Sequence, residues 1–330
     1  MRIEEAINTF LERIVGRIDT IERIAGDASI REYFRIWSNK RSLVLCIDSN
    51  LAREEYQFFA VHNLFREEGI PVPEIYGVDK QNGFILLEDG GDNHLQKQAF
   101  GLEPDEIVFL YRKIIDIMVR IQTISGRSVR PPFSICFDVK KLMFEFDFFI
   151  KNSLVEYFES NCSERVLSEL RDEFLKISNI LFRPDLFVLN HRDYHSRNIL
   201  ISRSGPLIID FQDARMGLPL YDAVSLLRDS YFMLEQNIVF ELKEYHFSLL
   251  RENGFDKMSW DEYEYYFDIM GFQRNIKALG TFGYQIVHRN KRFYEKYIFP
   301  TVEYLYEYAE RREEVKRAGE IVLNIIGSRG

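Results

Sequence analysis

The chain has 330 residues, a formal net charge of −9, 46% hydrophobic residues and 29% charged ones. That length is too great for one small core and implies two lobes of an ordinary soluble globular kind. The acidic balance excludes a general affinity for nucleic acid or an anionic membrane, though it leaves room for a local basic site that binds phosphate.

In chain order, Ile3, Ala6, Ile7, Phe10, Leu11 and Ile14 recur at helical spacing, so the chain should open with an amphipathic helix. This stretch lacks the long uncharged core of a signal peptide, and no run of about twenty apolar residues occurs, so a cytoplasmic protein is expected. Ile21–Ile24, Tyr33–Trp37 and Leu43–Ile47 read as strands, broken at Gly26-Asp27-Ala28-Ser29 and at Ser38-Asn39-Lys40. Residues 52–68 return to helical period and stop at Gly69, with Pro71 and Pro73 behind it. Glu74–Val78 and Phe84–Leu87 complete five strands around one long helix, an α+β lobe of residues 1–89.

Beyond Gly90-Gly91 the pattern is mainly helical, over 104–124, 138–159, 164–181, 219–234, 236–252, 259–286 and 299–325. Short strands around 186–190, 198–202 and 206–210 interrupt it, and residues 90–330 form the larger lobe. Cys46, Cys136 and Cys162 are too few and too scattered for a disulfide framework or a cysteine zinc motif, and are expected as free thiols.

Those three strands frame His191-Arg192-Asp193-Tyr194-His195-Ser196-Arg197-Asn198 and Ile209-Asp210-Phe211. An Asp, an Asn five positions later and an Asp twelve beyond that suit phosphoryl transfer from a magnesium nucleotide. One carboxylate orients the attacking hydroxyl, and two oxygen ligands hold the metal. Asp193 is the candidate for the first role, and Asn198 and Asp210 for the second.

This wording resembles the aminoglycoside-phosphotransferase and choline-kinase branch of the protein-kinase-like fold. It is closest to bacterial cell-wall kinases of the anomeric hydroxyl of N-acetylmuramate and N-acetylglucosamine. The resembling segments run from Gly26-Asp27-Ala28-Ser29 and Tyr33-Phe34-Arg35 through Leu86-Leu87-Glu88-Asp89 and the catalytic words. Tyr221-Asp222 to Arg228-Asp229 and Gln273-Arg274-Asn275-Ile276-Lys277 continue them. The resemblance implies a bilobal fold with ATP and magnesium as cofactors and a small-molecule hydroxyl as acceptor. It implies that Gly26 and Ser29 turn over the nucleotide phosphates and that the backbone of Glu88 and Gly90 pairs with adenine. Asp222 is expected to tie the loop to a helix start.

Two departures stand out. Where related kinases carry a strand lysine for the phosphates, Leu43-Val44-Leu45 is followed by Cys46. The helix glutamate that pairs with that lysine is also displaced: Glu55 lies early, and Phe58 sits nearer the expected place. A substitute cation is sought among Arg31, Arg35 and Lys40.

Other residues keep two readings. Arg197 could contact nucleotide phosphate or bridge the loop; His195 could touch phosphate or acceptor; His191 should support the loop backbone. Asp213 could assist a second magnesium or cap a turn. Phe144, Phe146, Phe148 and Phe149 around Glu145 read as core, with a sugar-stacking role open to one of them. Gln273 and Arg274 could reach the acceptor, and Glu310-Arg311-Arg312-Glu313-Glu314 reads as a solvated helix face. The favoured function is an amino-sugar kinase. The alternatives are a kinase of aminoglycosides, choline-like or other hydroxyl acceptors, for which Trp260–Tyr265 could supply an acidic pocket, and an inactive nucleotide-binding interaction protein.

Overall fold

The computed structural model describes residues 3–24, 31–51, 57–126 and 130–327; Gly26, Ser29 and Glu55 therefore lie outside the described residues. The chain divides into two units, Met1–His94 with Ile199–Gln212, and Leu95–Asn198 with Asp213–Gly330.

In the first unit, helix α1 (Ile3–Val15) precedes strands β1 (Thr20–Ile24), β2 (Glu32–Ser38) and β3 (Arg41–Ile47), then helix α2 (Gln57–Glu67), β4 (Ile75–Asp79) and β5 (Phe84–Glu88). The strands form one antiparallel sheet in the order β1-β2-β3-β5-β4. Side chains alternate between its faces with period two. Phe34, Ile36, Leu43, Leu45 and Ile47 pack with Ala6, Phe10 and Leu11 of α1. The intervening positions, among them Tyr33, Arg35, Val44 and Cys46, fall on the opposite face. On α2, Phe58 and Phe65 meet the ring of Phe211 at 5.2 and 5.8 Å between centroids.

The second unit begins with α3 (Leu95–Ala99), α4 (Pro104–Thr123) and α5 (Val139–Phe149), which continues as a π-helical stretch over Ile150–Tyr157. Next come α6 (Glu164–Leu181) and β6 (Val188–Asn190). The hairpin β7 (Ile199–Ser202) and β8 (Gly205–Ile208) belongs to the first unit, where Ile201 N donates to Asn93 O at 2.7 Å and Ile208 N to Pro71 O at 2.8 Å. β9 (Arg215–Gly217) then pairs with β6, ahead of α7 (Leu220–Leu227), α8 (Gln236–Glu252), α9 (Trp260–Arg289), α10 (Glu295–Arg311) and α11 (Glu313–Gly327).

Local chemistry sets the helix ends. Glu103 and Glu106 form a reciprocal cap on α4, with Pro104 in its first turn. Ser259 and Glu262 cap α9 in the same way. The helix expected over 219–234 stops at Leu227, because Arg228 leaves helical geometry at φ −120°, ψ 40°. The helix expected over 299–325 is two helices, broken at Arg312 (φ −131°, ψ 116°). The charge run is thus not a plain solvated face: Arg312 Nε donates to the buried Asp268 Oδ2 at 2.9 Å, and Arg311 lies 3.3 Å from Oδ1.

The longest helix, α9, is buried along most of its length, and its glycines allow that. A Cβ at Gly280 would lie 2.9 Å from Phe149 Cα, and one at Gly283 would lie 2.5 Å from Asn152 O. At Gly283 Ser153 Oγ is as near, so both helix backbone and a small side chain crowd the position. Gly283→Ala should therefore lower stability by a net ~1–3 kcal/mol in chemical denaturation, since overpacking against backbone exceeds the gain in helix propensity.

Cys46, Cys136 and Cys162 are free thiols. Among the described residues, no helix is long and apolar enough to cross a membrane.

Candidate active site

The loop from His191 to Asn198 leaves β6 and is held chiefly by its own backbone. Two buried carboxylates grip its amides. Asp222, on the first turn of α7, accepts from His191 N at 2.6 Å and Arg192 N at 3.0 Å. Asp229, just past α7, accepts from Ser196 N and Tyr231 N, both at 2.8 Å. Burial pushes their carboxyls up to about 7 and about 6, against the pull of those same amide bonds. The expected tie between Asp222 and the loop is what the structure shows, and Asp229 is a second tie that sequence reading did not assign. Tyr194 anchors the loop from below, donating from its buried hydroxyl to Ile114 O at 2.9 Å. Arg192 takes φ 87°, a strained value for a residue with a side chain.

Within this frame Asp193 N donates to His191 Nδ1 at 3.3 Å, so His191 does support the loop backbone. Asn198 donates its amide hydrogens to Asp193 O at 3.0 Å and toward His195 Nε2 at 3.4 Å, which leaves its carboxamide oxygen as the acceptor. Desolvation lowers His195 to about 3 and keeps the ring neutral, so it brings no charge to the site.

Cations surround Asp193. Lys277 Nζ of α9 lies 2.5 Å from its Oδ1, Arg274 Nη1 is 3.8 Å from the same oxygen, and Arg192 Nη1 is 3.8 Å from Oδ2. Burial alone would raise the carboxyl, but Lys277, Arg192 and Arg274 together hold it well below the usual range. The neighbouring cations therefore favour the ionised form of Asp193 and leave it little proton affinity. Lys277 is moved the other way: desolvation and the neighbouring Arg274 lower its ammonium to about 8, although Asp193 supports the charge.

Arg192 also bonds Asp213 Oδ2 at 2.5 Å and approaches the buried Glu145 at 3.6 Å. Glu145 in turn accepts from Gln273 at 2.9 Å. The structure thus places Gln273 with Glu145 and Asp213 on Arg192. Arg274 lines a cavity of about 80 Å³ beside Asp193, together with His195, Tyr231, Lys277 and Phe282. Lys277 was not singled out from sequence, yet it stands three and four positions after Arg274 and Gln273, so helical spacing puts it on their face.

Other assignments are placed as follows. The guanidinium of Arg197 lies over the rings of Tyr231, Phe293 and Tyr294 at 4.9, 5.5 and 6.0 Å, which is packing of the loop. Phe146 and Phe149 are core, while Phe144 is 60% exposed. The Trp260–Tyr265 segment builds no acidic pocket: Glu262 caps α9, Tyr263 is buried and Glu264 pairs with Lys243.

In the first unit, Asp210 takes φ 64° and receives Gln212 Nε2 at 2.8 Å on its Oδ1. Its half-exposed carboxylate and the carboxamide oxygen of Asn198 are hard oxygen donors, the kind magnesium takes in small number beside phosphate. Glu88 N donates to Glu74 O at 2.8 Å, so its carbonyl is the group left to accept. A Cβ on Gly90 would come 2.6 Å from Leu200 Cδ1 and 2.9 Å from Leu207 Cδ2, which explains a glycine there.

A family model described as the phosphotransferase enzyme family matches residues 20–253. The N-acetylmuramate/N-acetylglucosamine kinase of Pseudomonas aeruginosa is 29% identical over 94% of this chain and 90% of its own length. The protein of the same name from Neisseria meningitidis is 28% identical over 92% and 90%. The solved structure of ADP-bound aminoglycoside phosphotransferase APH(2'')-Ib matches with a TM-score of 0.62 at 14% identity, over 92% of this chain and 96% of that one. That likeness shows the protein-kinase-like fold. The chain belongs to the phosphotransferase enzyme family, and it is an ATP-dependent small-molecule kinase acting on a hydroxyl group.

Proposed function

We propose that this kinase phosphorylates the anomeric hydroxyl of an N-acetylated amino sugar. The observation that carries the reading is the set of cations on Asp193. A carboxylate held ionised by Lys277, Arg274 and Arg192 can orient a hydroxyl but is a weak base. An anomeric hydroxyl is more acidic than an ordinary alcohol and demands less of its base. The same positive surroundings repel a cationic acceptor, which disfavours aminoglycosides and choline-like molecules. The names of the two relatives above point the same way.

In this reading Asp193 accepts a hydrogen bond from the acceptor hydroxyl and aligns its oxygen. Asn198 and Asp210 are the magnesium ligands, and magnesium when bound would neutralise charge on the phosphate oxygens. The Glu88 carbonyl and Gly90 amide receive the adenine edge, while Gly26 and Ser29 keep their phosphate role from sequence. Arg197 is assigned to holding the loop through its aromatic contacts rather than to the nucleotide.

The test is a panel of acceptors with magnesium ATP: N-acetylmuramate, N-acetylglucosamine, kanamycin and choline. ADP release with the N-acetylated sugars, and phosphate at carbon 1 by NMR, is the expected result. Turnover of the cationic acceptors without turnover of the sugars would reject the proposal.

A further inference from the structure

The lysine that kinase-like sites place on the third strand is absent here, and the face that would carry it is filled differently. Cys46 on β3 is cross-strand partner to Tyr33 on β2. Desolvation pushes the buried thiol up to about 12, so it contributes no charge. Period-two alternation puts Arg31, at the entry to β2, on the same face as Tyr33 and Arg35, away from α1. Its guanidinium Nε donates to Asp48 Oδ2 at 2.7 Å, and its Nη1 lies 3.5 Å from Asp210 Oδ1. The side chain of Arg31 is 14% exposed and that of Asp48 is 1% exposed.

Asp48 is a fixed support rather than a passing surface contact. It follows β3 directly, its backbone N donates to Gly83 O at 2.8 Å, and its Oδ1 accepts from Asn50 N at 2.8 Å. The other two cations considered from sequence are placed elsewhere. Arg35 is clasped by Asp89 at 2.7 and 3.0 Å and by Asp92 at 2.8 and 2.9 Å. Lys40 is exposed in the β2–β3 turn.

We propose that Arg31 is the cation that binds the phosphate oxygens of the nucleotide, with Asp48 as its positioning carboxylate. Kinase catalysis needs a cation on the phosphates, an acidic partner that fixes it and a nearby metal-binding carboxylate. Arg31, Asp48 and Asp210 supply that triad from different chain positions, and the planar guanidinium fork matches phosphate oxygens well. The helix glutamate is then dispensable, because its role has moved to the residue after β3.

The inference rests on the kinase reading in one respect, that a nucleoside triphosphate binds. Calorimetry of the full chain without acceptor therefore tests it, comparing magnesium ATP with adenosine. Arg31→Met should weaken ATP by roughly ten- to a hundredfold, the effect of one charge-assisted contact, and leave adenosine unchanged. Equal losses for both ligands, or no loss for ATP, would overturn the assignment. Should Arg31→Met fail to fold, the wild-type protein can be labelled with phenylglyoxal and read by peptide mass. ATP should protect Arg31 and adenosine should not; equal labelling with both would reject the role. Wild-type protein that binds ATP beside an unaffected variant refutes this inference alone. Wild-type protein that binds neither ligand refutes the kinase reading with it.

Discussion

Asp193→Asn will cut kcat by roughly a thousandfold, the size of effect expected for losing a carboxylate that orients the attacking hydroxyl. The dissociation constant for magnesium ATP should stay within about twofold, since the substitution leaves the loop backbone in place. Asp193 N bonds His191 Nδ1 and Asp193 O receives Asn198, and both contacts use main-chain atoms of residue 193. The change removes the charge and the acceptor geometry and little else. Lys277 would lose its ion-pair partner, so thermal unfolding should be recorded beside the kinetics. Turnover within tenfold of wild type would exclude Asp193 from the role assigned to it.

The second large effect concerns Lys277. Its ammonium is lowered to about 8 by desolvation and by Arg274, so it loses its proton just above neutrality. Below that pH the charged form holds Asp193 in place; above it the carboxylate loses its nearest cation. kcat should therefore fall as pH rises through about 8. Arg does not deprotonate in this range, so Lys277→Arg should abolish that limb even if its absolute rate is lower. Lys277→Met should be slow at every pH, by roughly a hundredfold, with a flat profile between 7 and 9. A wild-type limb that persists unchanged in Lys277→Arg would assign the titration to another group.

Much of the site was legible because its residues are close in sequence. The Asp193, Asn198 and Asp210 spacing, the hairpin between them and the strand alternation around Cys46 are local patterns. Each follows from backbone periodicity and turn chemistry. Lys277 escaped for the opposite reason. It lies 84 residues from Asp193, and although its spacing puts it on the face of Gln273 and Arg274, only the folded chain brings that face to the carboxylate. Asp229 escaped because a helix was expected to run through it, and only the stop at Leu227 frees its carboxylate to turn toward Ser196. Arg31 was in view as one of three cations; its pairing with Asp48 and Asp210 came only from the folded sheet. Short pieces such as α3 and β9 carry too few residues to show a period.

The grip of Asp222 and Asp229 falls on the amides of His191, Arg192 and Ser196, groups that every residue but proline possesses. The location of the Asp193 carboxylate thereby depends less on the spelling of the segment around it. Between Asp193 and Asn198, Tyr194 and Arg197 add side-chain anchors of their own, while the two buried acids keep the scaffold still through groups that a change of side chain leaves in place.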